Sequence, residues 1–214
     1  MTCKGMYIFD LDGTIADSNG LWPKVDDLFL GRRGLVSTPE YLEAVGRSIF
    51  PVAADYTKAY YGLDDDPADI MAEWEALAAD QYAHEVGLKP GALAFLEQCR
   101  REGRPMAIFT ACRPILCRSL LERFGLTEWF DLIVYAEEIG LEKHQPECFT
   151  RLSELLRVPP RDCTLFDDSP SNCATAMAAG MRAVGVYDDF YAHRQEELKA
   201  VCHRYILSFE ELVK

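Results

Sequence analysis

Asp10-Leu11-Asp12-Gly13-Thr14 follows directly on the apolar run Met6-Tyr7-Ile8-Phe9. A strand that ends in two carboxylates spaced by two and then turns on a glycine projects both acids from the same end of a sheet. Such a pair offers a nucleophile, an acid/base partner and a seat for a divalent cation within one turn of chain. Three later stretches carry groups that complement it. Thr110 follows Ile108-Phe109 and leads into Ala111-Cys112-Arg113, Lys143 stands just past Glu137-Glu138-Ile139-Gly140, and Asp167-Asp168-Ser169 follows Leu165-Phe166. Singly, each has a plain structural use: a turn residue, a solvated lysine, the start of a helix. Together they read as chemistry. Several carboxylates converging without a cation raise one another's pKa values, and a hard, oxygen-ligated ion such as Mg2+ resolves that conflict. A lysine balances the remaining charge, and a threonine hydroxyl beside backbone donors can hold phosphate oxygens. Phosphoryl transfer is the reaction class that uses all of these parts.

The elements that must position these groups can be read from periodicity. From residue 86 onward helix and strand alternate. Helices are expected from Pro90 to Arg101, Pro114 to Phe124, Pro146 to Leu156 and Ser171 to Ala179, and strands at Met106–Phe109, Asp131–Tyr135, Cys163–Phe166 and Arg182–Tyr187. Strands separated by helices of this length pair in parallel through right-handed crossovers, which gives an α/β fold with a doubly wound parallel sheet. Ligands of such sheets bind at the carboxyl ends of the strands, where the candidate residues fall. Between Ala16 and His84 the alternation stops. Leu21, Val25, Leu28 and Phe29 keep helical spacing, as do Ile70, Trp74 and Leu77, so an all-helical insertion of about four helices is expected. The domains are therefore drawn as a core of residues 1–15 and 86–214 and a helical insertion of residues 16–85. In the insertion, Asp66 before Pro67 reads as a helix cap rather than as part of a cation site.

Composition narrows the function classes. The chain has 214 residues, 49% of them hydrophobic and 27% charged, which is enough for a sizeable core. With 22 basic against 35 acidic residues the net charge is −13, and the basic residues do not cluster, so neither nucleic acid nor a membrane surface is an expected partner. No apolar stretch reaches transmembrane length and no signal-type segment opens the chain, so a soluble, cytoplasmic protein is expected. Eight scattered cysteines, with no Cys-x-x-Cys pair and only four histidines, read as reduced thiols used as small hydrophobes.

The ordered set Asp10–Thr14, Thr110, Lys143 with Pro146, and Leu165-Phe166-Asp167-Asp168-Ser169-Pro170 resembles the four motifs of the haloacid dehalogenase-like superfamily. The stretch Ala176-Met177-Ala178-Ala179-Gly180-Met181-Arg182 is similar to the branch that holds phosphoglycolate phosphatases and β-phosphoglucomutases, in which a small helical cap is inserted after the first motif. The resemblance covers nearly the whole chain and implies specific roles. Asp10 would attack phosphorus and form an aspartyl-phosphate, and Asp12 would act as acid and then as base. Asp10, the backbone carbonyl of Asp12 and Asp168 would ligate Mg2+, with Asp167 close by. Thr110 and the Ala111 amide would bind phosphate oxygens, and Lys143 would neutralise the nucleophile and the transferring group. The sequence departs from the family where Ala111-Cys112-Arg113 follows Thr110 and where His144-Gln145 precedes Pro146.

The resemblance thus implies a magnesium-dependent phosphatase acting on a small phosphorylated metabolite. A β-phosphoglucomutase-like phosphomutase would use the same residues, and a phospho-acceptor or silent binding module is the non-enzymatic alternative. Substrate selection would fall to the cap, where Lys24, Arg32, Arg33, Arg47 and Lys58 are cationic, and Arg47 is the expected contact to a substrate anion.

Overall fold

Met6–Phe9 is a four-residue apolar run with no charged side chain, suited to a strand covered on both faces. It forms β1. The computed structural model describes residues 5–45, 48, 50–141 and 143–214. After β1 come β2 (Ala16–Asp17) and the helices α1 (Leu21–Gly31), α2 (Pro39–Val45), α3 (Phe50–Tyr61) and α4 (Pro67–His84). The chain continues through β3 (Gly87–Leu88), α5 (Ala92–Arg101), β4 (Met106–Thr110), α6 (Pro114–Arg123), β5 (Leu132–Tyr135), α7 (Ala136–Ile139) and α8 (Pro146–Leu156). It ends with β6 (Cys163–Asp167), α9 (Pro170–Ala178), β7 (Arg182–Val186), α10 (Gln195–Val201) and β8 (Arg204–Ile206).

The order β5-β4-β1-β6-β7-β8, with every pairing parallel, makes the expected doubly wound sheet. β1 lies at its centre, where the chain first builds outward through β4 and β5 and then crosses to β6. That is the switch point at which such sheets bind ligands. Register puts Phe9 beside Ile108 on one side and Phe166 on the other, so Asp10, Thr110 and Asp167 leave the sheet at the same end. Side chains of alternate residues fill opposite faces. Ile8, Phe109 and Leu165 pack with Phe149 and Leu152 of α8 on one face. Phe9 stacks on Phe166 with ring centroids 4.7 Å apart on the other, and Phe95 of α5 and Phe209 close over them. Truncating a fully buried ring such as Phe9 typically costs about 3–5 kcal/mol, so this face holds the two strands that carry Asp10 and Asp167 firmly in place.

Gly20–Val86 forms a compact unit of its own, and the residues through Asn19 and from Gly87 onward form the other. The division falls after β2 rather than before it, because Ala16 and Asp17 pair antiparallel with Leu88 and Gly87 and so belong with the sheet-bearing unit. Among the described residues the Gly20–Val86 unit is built from α1 to α4, and none of the helices of the chain is long and apolar enough to cross a membrane. Asp66 caps α4 by accepting from the Ala68 amide at 2.9 Å. Arg33 lies 3.8 Å from the Phe29 ring centroid and donates to Asp65 and Glu73 at 2.5 and 2.9 Å. Arg32 also pairs with Glu73, and Lys58 donates to the Asp65 carbonyl. Three of the cations expected on the insertion thus hold its own helices together. Arg47 lies outside the described residues.

The core of this unit contains a buried polar link between α1, α2 and α3. The Tyr41 hydroxyl donates to Asp26 Oδ1 at 2.8 Å and lies 3.0 Å from Thr57 Oγ1. Burial pushes the Asp26 carboxyl up to about 6, although the Tyr41 hydrogen bond opposes the shift. The folded protein therefore keeps a proton that the unfolded chain releases near 4, and stability falls as pH rises through that interval. Asp26→Asn keeps an acceptor for Tyr41 and removes the charge. It is expected to flatten the decline in urea-unfolding stability between about pH 4 and pH 6 and to add about 1–3 kcal/mol at pH 7.5.

Candidate active site

Asp10 begins the turn after β1, and the turn is unusually tight. The Leu11 carbonyl accepts from the amides of Thr14, Ile15 and Ala16, and the Gly13 amide donates to the Ala16 carbonyl at 2.9 Å. Gly13 has φ +75°, and a Cβ placed there would sit 2.2 Å from Asp168 Oδ2 and 2.1 Å from Asn19 Nδ2. Only glycine lets the first turn approach the acid of β6 this closely.

Asp10, Asp167 and Asp168 are all buried, and one carboxylate oxygen of each lies within 4.8 Å of the other two. They are the one such group of potential metal ligands among the described residues. Lys143, 7% exposed, donates to Asp10 Oδ1 and to Asp167 Oδ2, the latter at 3.3 Å. Asp167 is further fixed by the Ser169 amide at 2.9 Å and by Asn172 Nδ2 at 3.1 Å. Thr110, fully buried at the end of β4, accepts from the Cys112 amide at 2.9 Å, which shapes the turn that presents Ala111. Asp12 is half-buried, and its Oδ1 accepts from Ser18 at 2.6 Å.

Burial, reinforced by Asp167 and Asp12 and opposed by Lys143, pushes Asp10 up to about 7. Asp168 is driven upward by burial and then by Asp167, Asp10 and Asp188. Lys143 is nevertheless shifted upward, because Asp10 and Asp167 outweigh its own burial. Lys143 donates to Asp10 and to Asp167 alike, so the buried ammonium has a carboxylate partner on either side. Three carboxylates face one ammonium, and a net negative charge remains in a dry pocket. A hard divalent cation fits this donor set: the ligand atoms are oxygens and they converge, with the glycine at position 13 letting the first turn approach Asp168 closely.

The structure also joins residues that carry no motif signature. Asn19 Nδ2 donates to Asp168 Oδ2 at 2.8 Å and to Asp188 Oδ1 at 3.1 Å, and Lys89 donates to Asp188 Oδ2 at 2.8 Å. Asp188 follows β7, so the strand-end rule applied to one more strand points to it. Asn19 and Lys89 stand two residues after β2 and one after β3, positions with no periodic pattern to mark them.

A central parallel strand whose carboxyl end holds an acid–lysine cluster defines an α/β enzyme built to handle a hard, anionic group. The family model of the haloacid dehalogenase-like hydrolases matches residues 6–180. The chain is 29% identical over 205 residues to hexitol phosphatase A of Escherichia coli strain K12, covering 95% of this chain and 92% of that one. It is 30% identical over 205 residues to a phosphoglycolate phosphatase of Rhodobacter capsulatus, covering 92% and 89%. Its fold matches CbbY from Rhodobacter sphaeroides, solved in complex with phosphate, with a TM-score of 0.82 at 22% identity over 97% and 96% of the two chains. The chain belongs to the haloacid dehalogenase-like hydrolases, and it is an enzyme of the phosphatase kind.

Proposed function

We propose that the protein hydrolyses a small phosphorylated metabolite in a magnesium-dependent reaction through an aspartyl-phosphate on Asp10. The observation that carries this reading is the buried convergence of Asp10, Lys143, Asp167 and Asp168 at the end of β1 and β6. A carboxylate oxygen of Asp10 attacks phosphorus while Lys143, bonded to Oδ1, fixes the orientation of the nucleophile. The bond from phosphorus to the leaving oxygen breaks, and Asp12 delivers its proton to that oxygen. Asp12 then takes a proton from water, the resulting hydroxide attacks phosphorus, and the Asp10–phosphorus bond breaks to release phosphate and regenerate the carboxylate. Ser18 donates to Oδ1 of Asp12 and so fixes the orientation of its carboxyl group. Thr110 and the Ala111 amide bind phosphoryl oxygens. Magnesium, held by Asp10, the Asp12 carbonyl and Asp168 with Asp167 beside them, supplies electrostatic stabilisation and orientation of the phosphoryl group when bound.

The helical unit acts as the cap that selects the substrate, with Arg47 as the anion contact. A hexitol phosphatase and a phosphoglycolate phosphatase among the relatives put sugar, polyol and short-acid phosphates first among substrates to try. The buried thiols of Cys99, Cys117 and Cys163 suit a reducing compartment, so we place the protein in the cytoplasm. The test is a panel of such phosphates with Mg2+, read both for free phosphate and for isomerised product. Stoichiometric phosphate release from one or a few members is expected, whereas isomer formation without it would replace the phosphatase with a mutase.

Asn19 has a measurable part in this scheme, since it holds the Asp168 carboxylate against Asp188. Asn19→Ala is expected to weaken Mg2+ binding about 10- to 100-fold, read by calorimetric titration of the cation, with less effect on kcat at saturating Mg2+.

A further inference from the structure

Four residues form an unbroken chain of hydrogen bonds that ends on an acid of the cation cluster. Lys89 donates to Asp188 Oδ2 at 2.8 Å, Asp188 Oδ1 accepts from Asn19 Nδ2 at 3.1 Å, and the same nitrogen donates to Asp168 Oδ2 at 2.8 Å. Carboxylates only accept, so the two on either side of Asn19 fix which end of its amide faces them, and both hydrogens of that nitrogen are used. Asp188 is buried and equally committed, since its Oδ1 also accepts from the Phe190 amide at 2.9 Å and caps the turn after β7.

The far end of the chain is anchored as well. The Lys89 amide donates to the Ile15 carbonyl at 2.8 Å, and Ile15 belongs to the tight turn that begins at Asp10. The antiparallel pairing of β2 with β3 leads straight into that contact. The Lys89 side chain is 11% exposed, so its ammonium is committed to Asp188; a second carboxylate, Asp17, lies 3.9 Å away but is 66% exposed. Stability alone does not ask for this pair. A fourth carboxylate beside Asp168 adds repulsion to a pocket that already carries net negative charge, and a neutral Asn or Ser would cap the Phe190 amide as well. Apolar residues in place of a buried ion pair are often neutral or stabilising. What the acid–lysine pair adds is direction: Lys89 holds Oδ2, which keeps Oδ1 turned toward Asn19, and a directed Asn19 keeps the Asp168 carboxylate from rotating.

We propose that Lys89 and Asp188 are positioning residues for the cation: acting through Asn19, they hold the Asp168 carboxylate in the orientation that binds it. This role rests on the magnesium reading of the site. It carries a sign that charge alone would reverse. Lys89 is positive, so by Coulomb attraction its removal would tighten the binding of a divalent cation. Positioning predicts the opposite, because without Lys89 the buried Asp188 carboxylate has no cation to hold it, turns toward water and releases Asn19.

The test is calorimetric titration of Mg2+ into metal-free wild type, Lys89→Met, Lys89→Arg, Asn19→Ala and the double variant Asn19→Ala/Lys89→Met, each shown to be folded by circular dichroism. Lys89→Met is expected to bind Mg2+ at least about fivefold more weakly than wild type, and Lys89→Arg, which keeps the charge, is expected to recover most of that loss. In the Asn19→Ala background Lys89→Met should change the affinity by less than about twofold, because the path to Asp168 is already cut. A merely structural role would instead weaken the double variant by the product of the two single effects. Unchanged or tighter Mg2+ binding in Lys89→Met, no recovery in Lys89→Arg, or independent losses in the double variant would each overturn the proposal. Should Lys89→Met not fold, Asp188→Asn takes its place, since it keeps the size of the side chain; the same weakening is expected, with most of it lost in the Asn19→Ala background. A wild type that binds no Mg2+ would overturn the magnesium reading and this role with it. A wild type that binds Mg2+ with variants that do not follow the expected pattern would overturn the positioning role alone.

Discussion

Asp10→Asn is expected to lower turnover of any phosphate monoester by at least about ten-thousandfold while the fold keeps its stability. The amide has the shape of the carboxylate and its oxygen can still accept from Lys143, but it has no lone pair of comparable nucleophilicity and cannot carry phosphate. Stability should not suffer. Burial and the nearby Asp167 and Asp12 make an ionised Asp10 costly in the absence of a cation, and Lys143 retains Asp167 as a partner after the substitution. The melting temperature in chelator is therefore expected to stay within about 4 °C of wild type or to rise, a shift that corresponds to about 1 kcal/mol or less. Phosphate release gives the first readout and a thermal melt the second. An acid-stable phosphorylated protein trapped from wild type and absent from the variant would add the intermediate directly, and equal turnover in the two proteins would remove Asp10 from the mechanism.

The site was legible to the extent that it follows from strand ends. Asp10, Thr110 and Asp167 each terminate an apolar run, and a parallel sheet brings the ends of such runs together whatever the connecting helices contain. Lys143 required more, since it sits between α7 and α8 and reaches Asp10 only through the path of that connection. The four long helices and four flanking strands of the second half follow the expected bounds to within a residue or two, because full burial leaves a strong apolar signal. β2 and β3 are two residues each, too short for any period to register. β8 reads Arg-Tyr-Ile at a sheet edge, where one neighbour is missing and the apolar signal fades. The cations of the insertion could not be sorted by sequence either. Whether Arg33 meets a substrate or a neighbouring helix depends on Asp65 and Glu73, thirty to forty positions away, being folded against it.

Lys143→Met is expected to couple stability to magnesium more strongly than in the wild type. Methionine fills the space of the lysine stem, so the change removes an ammonium and little packing. It leaves Asp10, Asp167 and Asp168 converging in a buried pocket without the ammonium that bonds to two of them. Breaking a buried ion pair by removing one partner costs about 3–5 kcal/mol, so in chelator the variant should unfold at markedly lower urea concentration than wild type. Divalent cation then compensates for the missing charge, and its stabilising effect should be larger in the variant than in the wild type, where Lys143 already offsets part of the repulsion. Turnover at saturating Mg2+ should still fall about 100- to 10,000-fold, because the group that orients Asp10 and balances the transferring phosphoryl is gone. Lys143→Arg restores the charge but not the fit: the guanidinium is too broad for a position that is 7% exposed and bonded to two carboxylates at once. It should recover stability in chelator more than it recovers turnover. If Lys143→Met melts like wild type in chelator and responds identically to magnesium, the three acids do not share a charge-compensated pocket with Lys143, and the electrostatic account of this site is wrong.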